Sequence, residues 1–228
     1  MSNLKSKPKQ LLDDLECLNE RGVLPSSREI FLYSHYDGAD EAGIDYRCAN
    51  KFLMNLRYLE SLNSNPVIVH QSTIGGDWNY GMMIYDAIKE SRCKFVFVSH
   101  GICASMGTLI IQSVKDKGVR VTMPNCDWLI HEGTTGFSGT YKQLSSQYEY
   151  EKRILDKMYE VYVGSVGGKG SFFQDMSKPY IKKFLKRKFT SKEDWYLDAS
   201  ESVTYGLADG VIGQKGFESI EKIVKDVS

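Results

Sequence analysis

The chain has 228 residues, 42% of them hydrophobic, which is enough for one sizeable core and too few for two equal domains. Its 29 acidic and 29 basic residues cancel, so the chain as a whole attracts neither nucleic acid nor an anionic membrane, and any charged site is local. Cys17, Cys48, Cys93, Cys103 and Cys126 are scattered without a C-x-x-C pair, which argues against a disulfide framework and a structural zinc site. No apolar run is long enough to cross a bilayer and the first 14 residues hold no apolar targeting segment, so a soluble cytoplasmic protein is expected.

Residues 1–9 form a polar, lysine-bearing tail, and Leu11, Leu12, Leu15 and Leu18 then share one face of a short helix ending near Gly22. Glu29–Tyr33 reads as a strand and is followed by an acidic loop to about Gly43. The pattern Cys48, Phe52, Leu53, Leu56 and Leu59 predicts a helix over Ile44–Leu62, closed by Asn63-Ser-Asn-Pro66. A strand at Val67–His70, a Thr73-Ile-Gly-Gly76 loop and a helix over Tyr80–Ser91 make one strand–loop–helix unit. Phe95–Val98, a loop through Ser105 and a helix to about Lys115 repeat it. Val119–Met123 and Asp127–His131 are further strands. Strands that alternate with helices imply a largely parallel sheet with crossover connections, with sites beyond the strands' carboxyl ends.

Gly133–Gly139 reads as an extended Gly/Thr/Ser segment. The stripe Leu144, Tyr148, Leu155, Met158 and Tyr162 predicts a helix from Tyr141 to about Val163, roughly 35 Å long at ~1.5 Å per residue. Gly164–Gly170 reads as a flexible link and Lys178–Lys188 as a solvated basic face. A short terminal helix carries Phe217, Ile220 and Val224.

The chemistry-bearing residues fall at the loops. Ser105 sits on a Gly-bounded strand-to-helix turn, where a side chain projects out of the sheet and the N–H groups that open a helix face an anionic intermediate. Ile74-Gly75-Gly76 leaves the neighbouring strand on the same side, His131 ends a strand, and Asp194 follows 63 residues later. A nucleophile, a base and an acid are therefore available in Ser–His–Asp order. His100 is a rival base expected to point to the opposite face, and Cys103 is expected to pack rather than react.

Arg28-Glu-Ile-Phe-Leu32, Ser72-Thr-Ile-Gly-Gly76 with Gly81-Met-Met-Ile-Tyr-Asp86, Gly101-Ile-Cys-Ala-Ser-Met-Gly107, Met123-Pro-Asn125 with Ile130-His131, and Asp194 with Ala199–Asp209 occur in this order. Together they resemble the proteolytic subunit of the Clp proteases over about residues 28–213. The resemblance implies an α/β fold of the ClpP/crotonase-like spiral type, built from repeated strand–loop–helix units. Its domain would span 28–213, with a projecting handle at about 133–165 and an insertion at about 167–192, preceded by a tail and helix (1–27) and followed by a C-terminal helix (214–228). It implies a serine endopeptidase with Ser105 as nucleophile, His131 as general base, Asp194 orienting His131, and backbone N–H groups of Gly76 and Met106 as the oxyanion hole. Gly75, Gly133, Thr134, Thr135 and Gly136 would bind a peptide or unfolded protein as an added strand. The resemblance further implies a homo-oligomeric ring (a heptamer or double ring), an AAA+ unfoldase as partner, and no metal, cofactor, membrane or nucleic acid.

Three positions depart from that pattern. Ile74 stands where the family usually has Pro, the region before Arg28 does not match the hairpin that contacts the unfoldase, and the His131–Asp194 separation is long for the family. Alternative readings are a crotonase-like acyl-CoA enzyme using the Gly-loop N–H groups, a catalytically silent ring subunit, and a phage-type processing protease.

Overall fold

A computed structural model of the chain describes residues 7–32, 43–167 and 170–228. The tail before residue 7, the acidic loop and Gly168–Lys169 of the expected flexible link lie outside the described residues.

Helix α1 (Lys7–Arg21) leads into the short strand β1 (Val23–Leu24), which pairs antiparallel with β2 (Glu29–Leu32). Helix α2 (Tyr46–Leu62) begins two residues later than its apolar pattern suggests. Asp45 caps it by accepting from the Cys48 N–H at 2.9 Å, which leaves Ile44 to pair with the Gly75–Gly76 loop. Its other end is closed from a distance. The Arg28 guanidinium donates to the carbonyls of Leu59 at 2.9 Å, Asn65 at 3.0 Å and Pro66 at 3.2 Å, supplying positive charge where helix carbonyls lack partners.

Strand β3 (Val67–Thr73), helix α3 (Trp78–Glu90), strand β4 (Phe95–Ala104), helix α4 (Met106–Ile110) with a 3-10 turn at Ile111–Val114, and strand β5 (Gly118–Thr122) follow. Then come β6 (Asp127–Ile130), α5 (Tyr141–Val166), α6 (Lys178–Lys192), β7 (Trp195–Leu197), α7 (Ala199–Thr204), β8 (Gly210–Val211) and α8 (Ile220–Val227). The sheet order is β1-β2-β3-β4-β5-β8, parallel from β2 onward. This is a mixed α/β fold with a central sheet.

The sheet forks at β4. Its first half, Phe95–Ser99, pairs with β5, and its last three residues, Ile102–Ala104, pair with β6 instead. Between the halves lies a bulge: Gln71 pairs with Ser99 but Thr73 pairs with Cys103, and Gly101 inside the bulge has φ +57°. The buried Trp128 bridges the fork, its indole N–H donating to Thr122 Oγ1 at 3.1 Å. Both β3 and β4 outrun their apolar cores because the bulge and the fork keep the later, more polar residues paired.

One face of the sheet packs Ile30, Val69, Phe95 and Phe97 against α2, α3 and the α4 region in the main core, and α8 covers Ile68, Val96, Val98 and Val121 on the other. Two segments differ from their sequence reading. Gly164-Ser-Val166 is not part of a flexible link but the last turn of α5, because Val163, Ser165 and Val166 are buried. The basic stretch is half buried as α6. Ile181, Phe184, Leu185 and Phe189 turn inward, and only its other side is a solvated basic face. Gly133–Gly139 is exposed and forms no ladder with the described residues.

Candidate active site

The strand ends converge. Ser105 follows β4 directly and its N–H donates to the Leu129 carbonyl of β6 at 2.8 Å, so the fork fixes the nucleophile candidate beside the strand that carries His131. β7 runs antiparallel to β6 with Trp195 opposite Ile130, and one residue further along this register Asp194 faces His131. The result is a hydrogen-bonded chain. Ser105 Oγ lies 2.8 Å from His131 Nε2, and His131 Nδ1 lies 3.0 Å from Asp194 Oδ1. An ionised carboxylate only accepts, so Nδ1 carries the proton and Nε2 is left as an acceptor for the serine hydroxyl. The His131 and Asp194 side chains are 22% and 50% exposed, open to an incoming ligand.

Ser105 has φ +50° and ψ −121°, a conformation that costs an L-residue on the order of 1–3 kcal/mol and is held here by the strand before it and the helix after it. Facing it is Gly75, with φ +103°. A methyl group on Gly75 would lie 2.4 Å from Ser105 Cβ and 2.9 Å from its Oγ, so only glycine fits against the nucleophile. Gly76 is pinned from behind. The Ile44 N–H donates to the Gly75 carbonyl at 2.6 Å and the Asp77 N–H to the Ile44 carbonyl at 2.9 Å. Among the described residues no acceptor meets the N–H of Gly76 or of Met106, so both donors are available to a ligand. Ile74 is exposed, and the loop is braced instead by Thr73, whose Oγ1 accepts from the Gly75 N–H at 3.1 Å.

Of the other expected ligand contacts, Gly133, Thr134, Thr135 and Gly136 extend from His131 into solvent, and Thr135 Oγ1 donates to Glu151 at 3.1 Å. Gly133 is required by its φ of +83° rather than by space. Sequence reasoning missed the two tyrosines of α5 that brace this region. Tyr159 donates to Glu132, next to His131, and the Tyr162 hydroxyl lies 2.6 Å from Thr108 Oγ1, in the first turn after Ser105. Burial pushes both phenols above their ordinary range, so they stay protonated. Tyr162 lies on the α5 stripe, which reads equally as core, and Tyr159 carries no such signal.

The rival groups fall away. Cys103 is fully buried, and burial raises its thiol well above the ordinary value, so it is no thiolate nucleophile. His100 turns to the face of the sheet that α8 covers in part and meets His70 there, not Ser105. Among the described residues, no group of three or more His, Cys, Asp or Glu side chains could hold a metal ion, and no helix is long and apolar enough to cross a membrane.

The Clp protease family model matches residues 16–215. The ATP-dependent Clp protease proteolytic subunit 3 of Synechococcus sp. (strain CC9902) is 30% identical over 165 residues, 72% of this chain and 76% of that protein. The proteolytic subunit of Deinococcus radiodurans is 26% identical over 172 residues, 75% of this chain and 77% of its own length. Among solved structures, a point mutant of ClpP1 from Listeria monocytogenes has the same fold, with a TM-score of 0.66 at 20% identity, covering 83% of this chain and 93% of that one.

Proposed function

Since the chain belongs to the Clp protease family, we propose that it is a serine endopeptidase in which Ser105, His131 and Asp194 form the catalytic triad. One observation carries the reading: the unbroken chain from Ser105 Oγ through His131 to Asp194, at 2.8 and 3.0 Å, opening toward two N–H groups without partners among the described residues.

In this mechanism a peptide adds along the exposed Gly133–Gly136 segment and places its scissile carbonyl over Ser105. Ser105 Oγ attacks the carbonyl carbon while its proton passes to His131 Nε2, and Asp194 stabilises the imidazolium across Nδ1 without taking the proton. The carbonyl oxygen becomes an oxyanion held by the N–H groups of Gly76 and Met106, each such donor contributing about 3 kcal/mol in the transition state. Collapse breaks the C–N bond, and His131 returns its proton to the leaving amine. Water then attacks the acyl-serine ester by the same route, releasing the acid and restoring Ser105.

The substrates are peptides or unfolded proteins, and the working form is a homo-oligomeric ring of the family's kind. A fluorophosphonate probe tests the site. It labels the wild-type protein at Ser105 and not Ser105→Ala, and only the labelled form hydrolyses peptides. Equal hydrolysis by Ser105→Ala would overturn the reading, and binding of acyl-CoA without labelling would replace it with the thioester chemistry of the crotonase-like enzymes. Mass measurement on the same sample reports the ring.

A further inference from the structure

On the sheet face opposite the main core lies a second carboxylate–imidazole chain that the mechanism does not use. His70 Nε2 is 2.9 Å from Glu29 Oε2, and His70 Nδ1 is 2.9 Å from His100 Nε2. Phe31 stacks on the His70 ring at 4.7 Å and 17°, and His70 is buried. The donors are fixed by elimination. The Glu29 carboxylate, held below its ordinary range first by the hydrogen bond from His70, accepts only, so His70 Nε2 donates. In the neutral ring Nδ1 then accepts, and His100 Nε2 donates to it, leaving His100 Nδ1 as a second unprotonated nitrogen, at the half-buried end of the chain.

The place of this chain matters more than its composition. His100 opens the β4 bulge, in which His100, Gly101 and Ile102 face the single Ser72 of β3. The bulge turns β4 away from β5 and onto β6, and Ser105 stands three residues beyond it. The His70–His100 hydrogen bond is a side-chain tie across that bulge, at the point where the β3–β4 register breaks. We propose that Glu29, His70 and His100 are positioning residues for the Ser105 reaction, a proton-sensitive latch that holds the β4 bulge in register and releases it when both imidazoles are protonated.

This proposal rests on the serine peptidase reading above. One proton is tolerated on the His70–His100 pair, because every hydrogen bond survives and the Glu29 carboxylate balances the charge. A second proton puts N–H groups of two cations head to head at 2.9 Å, and the contact opens. His100 already resists protonation, through burial first and the charge of His70 second. Of the other described groups, Ser27 hydrogen-bonds Glu29 and Glu221 of α8 acts on Glu29 as a like charge. Arg28 points to the opposite face, toward the end of α2.

The test is the rate of fluorophosphonate acylation of Ser105 from about pH 8 to about pH 5, in the wild type, His100→Gln and Glu29→Gln, with hydrogen exchange of residues 100–105 followed at each pH. Glutamine keeps a donor toward His70 but cannot be protonated. The wild type is expected to lose acylation in acid more steeply than His100→Gln, by about a further tenfold per pH unit, because only the wild-type latch takes up a proton at position 100. Exchange protection of residues 100–105 drops in acid in the wild type and persists in His100→Gln. Glu29→Gln, without the balancing carboxylate, moves the steep limb to lower pH. Equal steepness and equal protection in wild type and His100→Gln would overturn the latch. A wild type that never labels, yet loses protection in acid only when His100 is present, would overturn the peptidase reading and retain the latch as a structural device.

Discussion

Two carboxylate–imidazole chains meet at β4, one at its end through β6 and β7 and one at its bulge through β2 and β3, and they differ in what lies at the far end. Asp194–His131 ends on a hydroxyl and is open to solvent, with side chains 50% and 22% exposed, whereas Glu29–His70 ends on a second imidazole and is mostly buried. In the first, the imidazole has an acceptor nitrogen aimed at a group that can attack a carbonyl. In the second the imidazole is reversed, with Nε2 on the carboxylate, and its acceptor nitrogen Nδ1 is occupied by a donor that cannot. A carboxylate–histidine pair is therefore not an active site by itself: the third group, its access and the donors around it decide.

The largest break in this comparison is Ser105→Ala, which removes the nucleophile and should lower kcat on the order of 10⁶-fold with the fold retained, read by peptide hydrolysis beside circular dichroism. Asp194→Asn comes next. It leaves the geometry but favours the wrong tautomer of His131, and should cost about 10⁴-fold in kcat. Gly75→Ala places a methyl group 2.4 Å from Ser105 Cβ and forces an L-residue to φ +103°, so a loss of at least about 10²-fold is expected, with KM less affected than kcat. His70→Phe removes the tie across the β4 bulge, so it should lower activity at pH 8 by about tenfold and stability by about 1–3 kcal/mol, measured by urea unfolding, because it strands Glu29 and His100 without their partner.

The smallest effect separates the chains by pH. Glu29 and His100 both bind protons more weakly in the folded state than their ordinary values of 4.5 and 6.5. Their stabilisation is present above those values and is lost as pH falls, first through the histidine and then through the carboxylate. Thermal midpoints of the wild type should therefore decline from about pH 6.5 downward, and those of His100→Gln should decline less over the first unit.

Much of the site was legible because its residues lie at strand ends, where apolar runs stop and glycines appear. Ser105, His131 and the Gly75–Gly76 loop stood out in this way. Asp194 stands among other carboxylates in the sequence, Glu193 and Asp198, and it is the β6–β7 register, Trp195 opposite Ile130, that places it before His131. Arg28 and Tyr159 carried no local signal for their roles, since their partners lie 31 and 27 residues away.

The sequence by itself determined the order of strands and helices from β2 to α5, the parallel sheet and the turn that exposes Ser105, because apolar periodicity and glycine placement act within a few residues. Only the tertiary structure decided the fork of β4, the half-buried state of α6, and the partner that holds His100 away from the serine. His100 lies five residues from Ser105 and His131 lies 26, yet the nearer one is turned to the other side of the sheet by strand alternation and held there by His70. Distance along the chain gives no account of such a choice. It is made by which face a strand presents and which distant strand pairs beside it.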